Sequence, residues 1–273
     1  MKNIWVPLSG AIAQQRNVET IANNLANSNT PGFKKDKLTF KEQLTVLEKG
    51  LQGLDIDVPH KEFAPEDFYR SYGAENAKVK IDGSYTDHRQ GDLRHTGNPL
   101  DLAINGPGFF ELSTPNGVRF TRKGTFSLSG EGYLVNEKGF PVLSKLGEIP
   151  EGESSDPAKR IFKITGKKVS LNNSGEIFVD GKKFKDLSLV EFKDIAALKK
   201  EGNSLFINNY PENIINETKK STLHQGFLEG SNVNPLEEMS ALIKASRHFE
   251  SIQQVLKAYD HISGKAVNEI SKF

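Results

Sequence analysis

The feature that most constrains this chain is a long helical segment at its C-terminal end. From Pro235 to Phe273 there is no internal proline, and Gly264 is the only glycine. Asn234 is a suitable helix cap, and Pro235 suits the first helical position. Apolar residues then alternate at three- and four-residue steps: Leu242, Ala245, Phe249, Ile252, Leu256, Tyr259, Ser263, Ala266 and Ile270. This pattern predicts a helix with one apolar seam, about 50 Å long and too long for so small a domain to cover.

A weaker stripe of the same kind lies at the N-terminal end. Its members are Ile4, Leu8, Ala11, Gln15, Val18, Ala22 and Leu25. The segment stops at a run of turn-forming residues, 27–32. Because the stripe is largely alanine, it permits a close approach of another helix but offers little apolar surface for burial.

The middle of the chain reads as strands. Short apolar or alternating runs are separated by turn signals every 8 to 12 residues, including Asn105-Gly106, Asn116-Gly117 and Asp180-Gly181. We therefore predict an α+β fold. Long N- and C-terminal helices pair as an antiparallel coiled coil, and a compact antiparallel β-domain lies between them in sequence.

The expected division of the chain has four parts. Residues 1–32 form the N-terminal helix of one helical domain, and residues 226–273 form its C-terminal helix. Residues 92–225 form the β-domain. Residues 33–91 connect them, with a short helix over Lys35–Lys49 because Phe40, Leu44, Leu47 and Leu51 have helical spacing, and an irregular arm over Gly53–Ala77.

Composition excludes several classes of protein. The net charge of +1 provides no strong field for nucleic acid, and no apolar run reaches the length of a spanning helix. The absence of cysteine excludes disulfides and thiolate sites. Pro7, Ser9 and Gly10 interrupt the first apolar stretch, so we do not expect a cleaved signal peptide.

Catalytic motifs are also missing from the sequence. The six histidines show no helical zinc spacing, and Gly106-Pro107-Gly108 is better interpreted as a turn than as a phosphate loop. We expect no catalytic residues, no metal, no cofactor and no small-molecule substrate, and therefore not an enzyme.

The helical ends themselves favour assembly. Long amphipathic helices depend on packing, so we expect both ends to be poorly ordered in a free monomer and to become ordered when neighbouring copies cover them. Two alternatives remain open, the first on periodicity alone and the second because it explains only the middle of the chain. One is an ordinary two-domain globular protein, and the other is a periplasmic binding module that uses the β-domain.

Two strings add a specific resemblance. They are Ala22-Asn23-Asn24-Leu25-Ala26-Asn27 with Thr30-Pro31-Gly32-Phe33-Lys34, and Leu228-Glu229-Gly230-Ser231-Asn232-Val233-Asn234-Pro235. Blocks 91–104, 106–110 and 120–126 agree with them. Together they resemble flagellar rod and hook proteins, while residues 50–85 and 145–220 match only loosely. Among these, the C-terminal string resembles the F-type proximal-rod protein, with the G-type distal-rod protein as runner-up and the hook protein less fitting.

The resemblance implies a subunit of the basal-body rod, which transmits torque from motor to hook. It implies export by the flagellar type III apparatus into the periplasm without a cleaved signal peptide, then axial assembly with copies of itself and other rod proteins, with the terminal helices lining the inner tube. The expected assembly residues are Ile4, Leu8, Ala11, Val18, Ala22, Leu25, Leu242, Phe249, Ile252, Leu256 and Tyr259. The signature residues are Asn23, Asn24, Leu25, Asn27, Pro31, Gly32, Phe33, Ser231, Asn232 and Val233.

Overall fold

The computed structural model describes residues 4–44, 77–145, 157–166, 169–215 and 220–270. It divides the chain into two compact units, neither of them continuous in sequence. The first contains residues 1–25, 36–85 and 235–273, and the second contains residues 26–35 and 86–234. The irregular arm expected over Gly53–Ala77 lies outside the described residues, except for Ala77, which begins a strand.

The first unit contains two helices, α1 (Trp5–Ala26) and α2 (Pro235–Ile270). The Gln14 side chain donates a hydrogen bond from Nε2 to the backbone oxygen of Ala245 at 3.1 Å. Further along, a Cβ placed on Gly10 would lie 3.9 Å from Ile252 Cδ1. From the first contact to the second, the position falls from Gln14 to Gly10 in α1 but rises from Ala245 to Ile252 in α2. The two helices therefore run in antiparallel directions.

A two-stranded sheet completes the described part of this unit, with β1 (Asp36–Leu44) beside β2 (Ala77–Thr86). The short helix predicted over Lys35–Lys49 is therefore wrong where the structure describes it. Leu38 and Phe40 also fit a two-residue period, and β2 offers the matching alternation of Val79 and Ile81. Pairing with a distant strand has overridden the local helical spacing, as is common for short segments.

Strands dominate the second unit, and they pair in antiparallel fashion throughout its described residues. Their bounds are β3 Leu93–His95, β4 Leu102–Asn105, β5 Phe109–Thr114, β6 Gly117–Thr121, β7 Phe126–Leu128, β8 Leu134–Asn136, β9 Val169–Leu171, β10 Glu176–Val179, β11 Lys182–Asp186, β12 Leu189–Phe192, β13 Lys199–Gly202, β14 Leu205–Ile207, β15 Ile214–Ile215, β16 Thr222–Gln225 and β17 Phe227–Glu229. Short 3₁₀ turns occupy Pro157–Arg160 and Pro211–Asn213.

The largest sheet has the strand order β13-β14-β6-β5-β12-β15, and a three-stranded sheet has the order β11-β10-β9. One apolar cluster contains Leu102, Ile104, Phe110, Leu112, Phe126, Leu134, Val142, Phe162, Ile164, Ile177, Leu187, Leu189, Leu205 and Leu223. A second contains Phe109, Phe120, Val190, Phe192, Leu198 and Phe206. The predicted α+β fold with a central antiparallel β-domain is confirmed.

The predicted turns have different outcomes. Asp180 and Gly181 have φ of 50° and 84° and join β10 to β11, as the sequence indicated. In the β5–β6 hairpin, Thr114 faces Gly117, so the two-residue turn lies one residue earlier than predicted. The hairpin expected at Asn105 is wrong, because β4 pairs with β16 and not with the strand that follows it.

Candidate assembly site

One face of α2 is less exposed than the rest of the helix. It consists of Leu242, Ala245, Phe249, Ile252 and Leu256, which we call the α2 seam. Ala245 is 3% exposed and the other four are half-buried. These are the residues whose three–four spacing marked the helix in the sequence.

On α1 the predicted stripe is only partly covered. Ala11 is buried and Val18 and Leu25 are half-buried, whereas Ile4, Leu8 and Ala22 are exposed, as is Tyr259 on α2. The covered face of α1 instead includes Gly10, Gln14 and Asn24. Gly10 allows Ile252 to approach closely, and Gln14 forms a hydrogen bond to α2.

Exposed apolar side chains are concentrated in this first unit. They are Ile4, Trp5, Leu8, Ile12, Phe40, Val79, Tyr85, Leu236, Met239, Ile243, Val255, Tyr259 and Ile262. An extended set of exposed apolar side chains on one part of a protein is typical of a surface that contacts other proteins.

The sheet of this unit is joined to α1 by polar contacts. The backbone N–H of Val79 donates to Ser9 Oγ at 3.2 Å, and the Lys78 ammonium lies 5.8 Å from the centre of the Trp5 ring. In β1 and β2, Thr39 Oγ1 donates to the backbone oxygen of Gly83 at 3.1 Å.

The signature amide Asn24 fixes the start of β1. Its Nδ2 donates to the backbone oxygen of Asp36 at 2.8 Å, and its Oδ1 accepts the backbone N–H of the same residue at 3.0 Å. Asn24 is 1% exposed. Asn23 is exposed, and Asn27 Oδ1 accepts a hydrogen bond from Thr30 Oγ1 at 3.2 Å.

In the second unit, Gly32 allows the signature turn to approach another backbone closely. It has φ of +65°, and a Cβ at this position would lie 2.5 Å from the backbone nitrogen of Lys123. No other residue type fits such a contact without displacing backbone. The Gly32 N–H donates to the backbone oxygen of Glu229 at 2.8 Å, while the neighbouring residue Phe33 is buried beneath the ammonium of Lys200, 3.9 Å from its ring centre.

Asn232 ties three segments of the second unit together. Its Oδ1 accepts the backbone N–H of Lys35 at 2.8 Å, and its Nδ2 donates to the backbone oxygens of Asp87 at 2.7 Å and Arg89 at 3.1 Å. Its neighbour Val233 is buried, and the Val233 N–H donates to Ser231 Oγ at 3.3 Å. Pro31 lies half-buried in the opposite signature turn.

Beneath these contacts lies a buried group of charges, the Lys34–Glu229–Arg122 cluster. Lys34 Nζ donates to Glu229 Oε1 at 2.6 Å and to the backbone oxygen of Arg89 at 2.7 Å. Arg122 Nε lies 3.3 Å from Glu229 Oε2, and its Nη1 donates to the backbone oxygen of Gly108 at 2.6 Å. Two cations thus share one carboxylate in the interior of the unit.

Burial dominates the electrostatics of this cluster. Loss of solvation lowers the pKa of Lys34 below its ordinary value, and the attraction of Glu229 only partly offsets this effect. Burial likewise lowers the pKa of Arg122, again opposed by Glu229. The Asp87 carboxylate also favours the charged form of Lys34.

Sequence reasoning placed Lys34, Arg122 and Glu229 within the resembling strings but did not predict that they form a buried cluster. Each is a charged residue, and charged residues are usually exposed. The available signal was their position in glycine-containing strings, where close backbone packing leaves little room for water.

Features of other protein classes are missing from the described ranges. There, no group of three or more histidine or acidic side chains could hold a metal ion. In the same ranges, neither helix is apolar enough over sufficient length to cross a membrane.

Comparison with known proteins identifies this architecture. Residues 6–34 match the family described as "Flagella basal body rod protein", residues 103–179 match the "Flagellar hook protein FlgE/F/G D1 domain", and residues 224–269 match the "Flagellar basal body rod FlgEFG protein C-terminal". The first and last of these matches contain the two signature strings, and the middle one lies within the β-domain.

Individual relatives match along nearly their whole length. The chain is 32% identical to the flagellar basal-body rod protein FlgF of Caulobacter vibrioides, covering 98% of each chain. It is 30% identical to FlgG of Bacillus subtilis, again covering 98% of each, and 29% identical to FlgG of Agrobacterium fabrum over 96% of this chain and 97% of that one. The family consists of structural rod proteins and not of enzymes, and this chain belongs to it: it is a flagellar basal-body rod protein of the F or G type.

Proposed function

We propose that this chain is the F-type subunit of the proximal rod, which assembles axially into the tube that transmits torque from motor to hook. The observation that carries the proposal is the concentration of exposed apolar side chains on the helices and sheet of the first unit. A rod subunit needs such a surface, because each copy must bury part of its surface against neighbours on several sides.

The two helices supply the assembly contacts in this proposal. Their antiparallel contacts at Gln14 and Ile252 support an antiparallel coiled coil. Within it, Ala11, Val18 and Leu25 pack on the α2 seam. Ile4, Leu8, Ala22 and Tyr259, which are exposed, contact neighbouring subunits that line the inner tube.

The signature residues have a different role. We assign Asn24, Gly32, Phe33, Asn232 and Val233 to holding the chain segments that enter and leave the helices, because each is buried or hydrogen-bonded to backbone. In the proposed division, 1–32 and 226–273 form the inner-tube domain, 33–91 connects them to the rest, and 92–225 forms the β-domain.

The family also supports a route to the site of assembly. We propose export by the flagellar type III apparatus without a cleaved signal peptide, and assembly in the periplasmic part of the basal body with copies of this chain and other rod proteins. The distal G-type role is the second candidate, and it is favoured by FlgG relatives that match this chain over 96–98% of its length.

Basal bodies isolated from the host test this proposal. An epitope-tagged chain that restores motility to a deletion strain should copurify with basal bodies, and the deletion strain should lack a completed rod and hook. Immunogold labels near the motor indicate the F type, and labels near the hook indicate the G type. A chain absent from basal bodies, with normal motility in the deletion strain, contradicts both.

A further inference from the structure

Two small apolar patches on α2 lie outside the α2 seam. The first consists of Leu236, Met239 and Ile243, and the second of Val255, Tyr259 and Ile262. All six side chains are between 43% and 73% exposed, so the contact between α1 and α2 does not cover them.

The patches lie on opposite flanks of the helix. With 3.6 residues per turn, the first is centred roughly a third of a turn from the seam on one side, and the second roughly a quarter of a turn on the other. Each is continuous with the apolar seam that α2 uses within the chain. An apolar face that extends from an existing helix interface onto both flanks is suited to two further helices.

Each flank is apolar over only half its length. On the flank of the first patch, the helix continues with the exposed polar residues Glu250, Lys257 and His261. On the flank of the second patch, the helix begins with the exposed residues Glu237, Lys244 and His248. Two parallel copies placed at the same level would therefore set apolar side chains of one against charged side chains of the other, which is unfavourable.

An axial shift removes this mismatch. Val255 follows Leu236 by 19 positions, and Ile262 follows Ile243 by the same 19 positions. A shift of 19 residues along a helix corresponds to roughly 28 Å. Both patches also span seven positions, with steps of three then four residues in the first and four then three in the second, so a shift of 19 aligns their outer members.

We propose that the first patch of one copy packs on the second patch of a neighbouring, parallel copy shifted along the helix axis by roughly 28 Å. The inference rests on the proposed axial assembly and adds the partner, the pairing and the offset. Because the contact joins two different patches and each copy is shifted along the axis, it continues from copy to copy without closing, as an axial structure requires.

Cysteine cross-linking tests the pairing directly, since the natural chain contains no cysteine. Two differently tagged copies are expressed together in the host, one carrying Ile243→Cys and the other Ile262→Cys, and basal bodies are oxidised with copper phenanthroline. The matched control replaces the second copy with Lys244→Cys, which pairs the flanks at one level. Disulfides form only when Cα atoms come within about 7 Å, so we expect at least about tenfold more mixed dimer from the staggered pair.

A second staggered pair, Leu236→Cys with Val255→Cys, guards against a single variant that assembles poorly. Equal or greater cross-linking in the control, or Ile243→Cys joined to itself, overturns the proposal. Basal bodies that contain the chain but give no mixed dimer from either staggered pair also overturn it, and the neighbour is then a different chain. Absence of both tags from basal bodies instead contradicts the proposed function.

Discussion

Lys34 and Glu229 are 195 positions apart in sequence, yet their side chains form a hydrogen-bonded ion pair at 2.6 Å with no solvent-exposed side-chain surface on either residue. The Gly32 N–H donates to the backbone oxygen of Glu229, and Asn232 Oδ1 accepts the backbone N–H of Lys35, the residue after Lys34. The pair therefore joins the two strings that identify the family, inside the second unit.

Removing one partner of this pair should destabilise the second unit strongly. In Lys34→Met, Glu229 keeps Arg122 but loses its shortest contact, and in Glu229→Gln two buried cations lose their shared carboxylate. We expect a loss of about 3–5 kcal/mol in the free energy of unfolding for Glu229→Gln. Denaturant unfolding followed by near-ultraviolet circular dichroism measures it.

The matched control is an exposed ion pair of the same unit. Lys123 Nζ lies 2.6 Å from Glu137 Oε2, and the Glu137 side chain is 56% exposed. Glu137→Gln should cost about 1 kcal/mol or less, because solvent screens the pair. Equal losses for Glu229→Gln and Glu137→Gln would contradict the role of burial.

The pH dependence of stability should show the titration of Lys34. Its pKa is lower in the folded chain than its ordinary value of 10.5, so between these two values the unfolded state binds more protons. Stability contributed by this group therefore rises with pH in that window and is constant below it. In Lys34→Arg, the side chain stays protonated throughout, and this rise is absent.

The measurement is the difference in unfolding free energy between the natural chain and Lys34→Arg, followed from pH 8 to about 10.5. The natural chain should gain stability relative to the variant as the pH rises. Two curves that remain parallel across this range would show that Lys34 has an ordinary pKa.

The stability cost of crowding at Gly32 can be measured separately from the cost of its left-handed backbone conformation. Gly139 has φ of +80° and open space around its Cβ position, so Gly139→Ala tests the conformation alone and should cost about 1–3 kcal/mol. Gly32→Ala adds a clash with the backbone at Lys123, and we expect a further loss of about 1–3 kcal/mol. Thermal unfolding of both variants gives the comparison, and equal losses would rule out the clash.

A charge in the α2 seam should stop assembly while the second unit remains folded. Leu256→Asp places a carboxylate on the half-buried face of α2, so we expect motility and incorporation into basal bodies to fall to background. Ser251→Asp adds the same charge on an exposed face of the helix and should have little effect. Normal motility of the Leu256→Asp strain would contradict the assignment of the seam.

The sequence predicted the helices well because their evidence is periodic and local. Over α2, the three–four spacing of Leu242 to Leu256 repeats often enough to exclude a strand. The segment around Phe40 lacked such repetition. Its four apolar residues fit a helix, and only the distant partner strand β2 determines that it is extended.

The buried cluster could not be predicted for a related reason. Nothing near Lys34 in sequence distinguishes it from the other lysines, since its burial arises from segments that contain Arg89, Arg122 and Glu229. The requirement for close packing was visible only indirectly, through Gly32. Sequence patterns report local periodicity, whereas desolvation of a charge depends on the whole fold.

Because each unit is assembled from separate stretches of chain, the order in which residues become available matters. A polypeptide that emerges with its N-terminus first cannot complete the second unit until Glu229 has appeared, 195 positions after Lys34. Until then Lys34 and Arg122 lack the Glu229 carboxylate that offsets the cost of their burial, so the second unit is incomplete. Folding of the second unit is thereby delayed until both of its separate stretches have emerged.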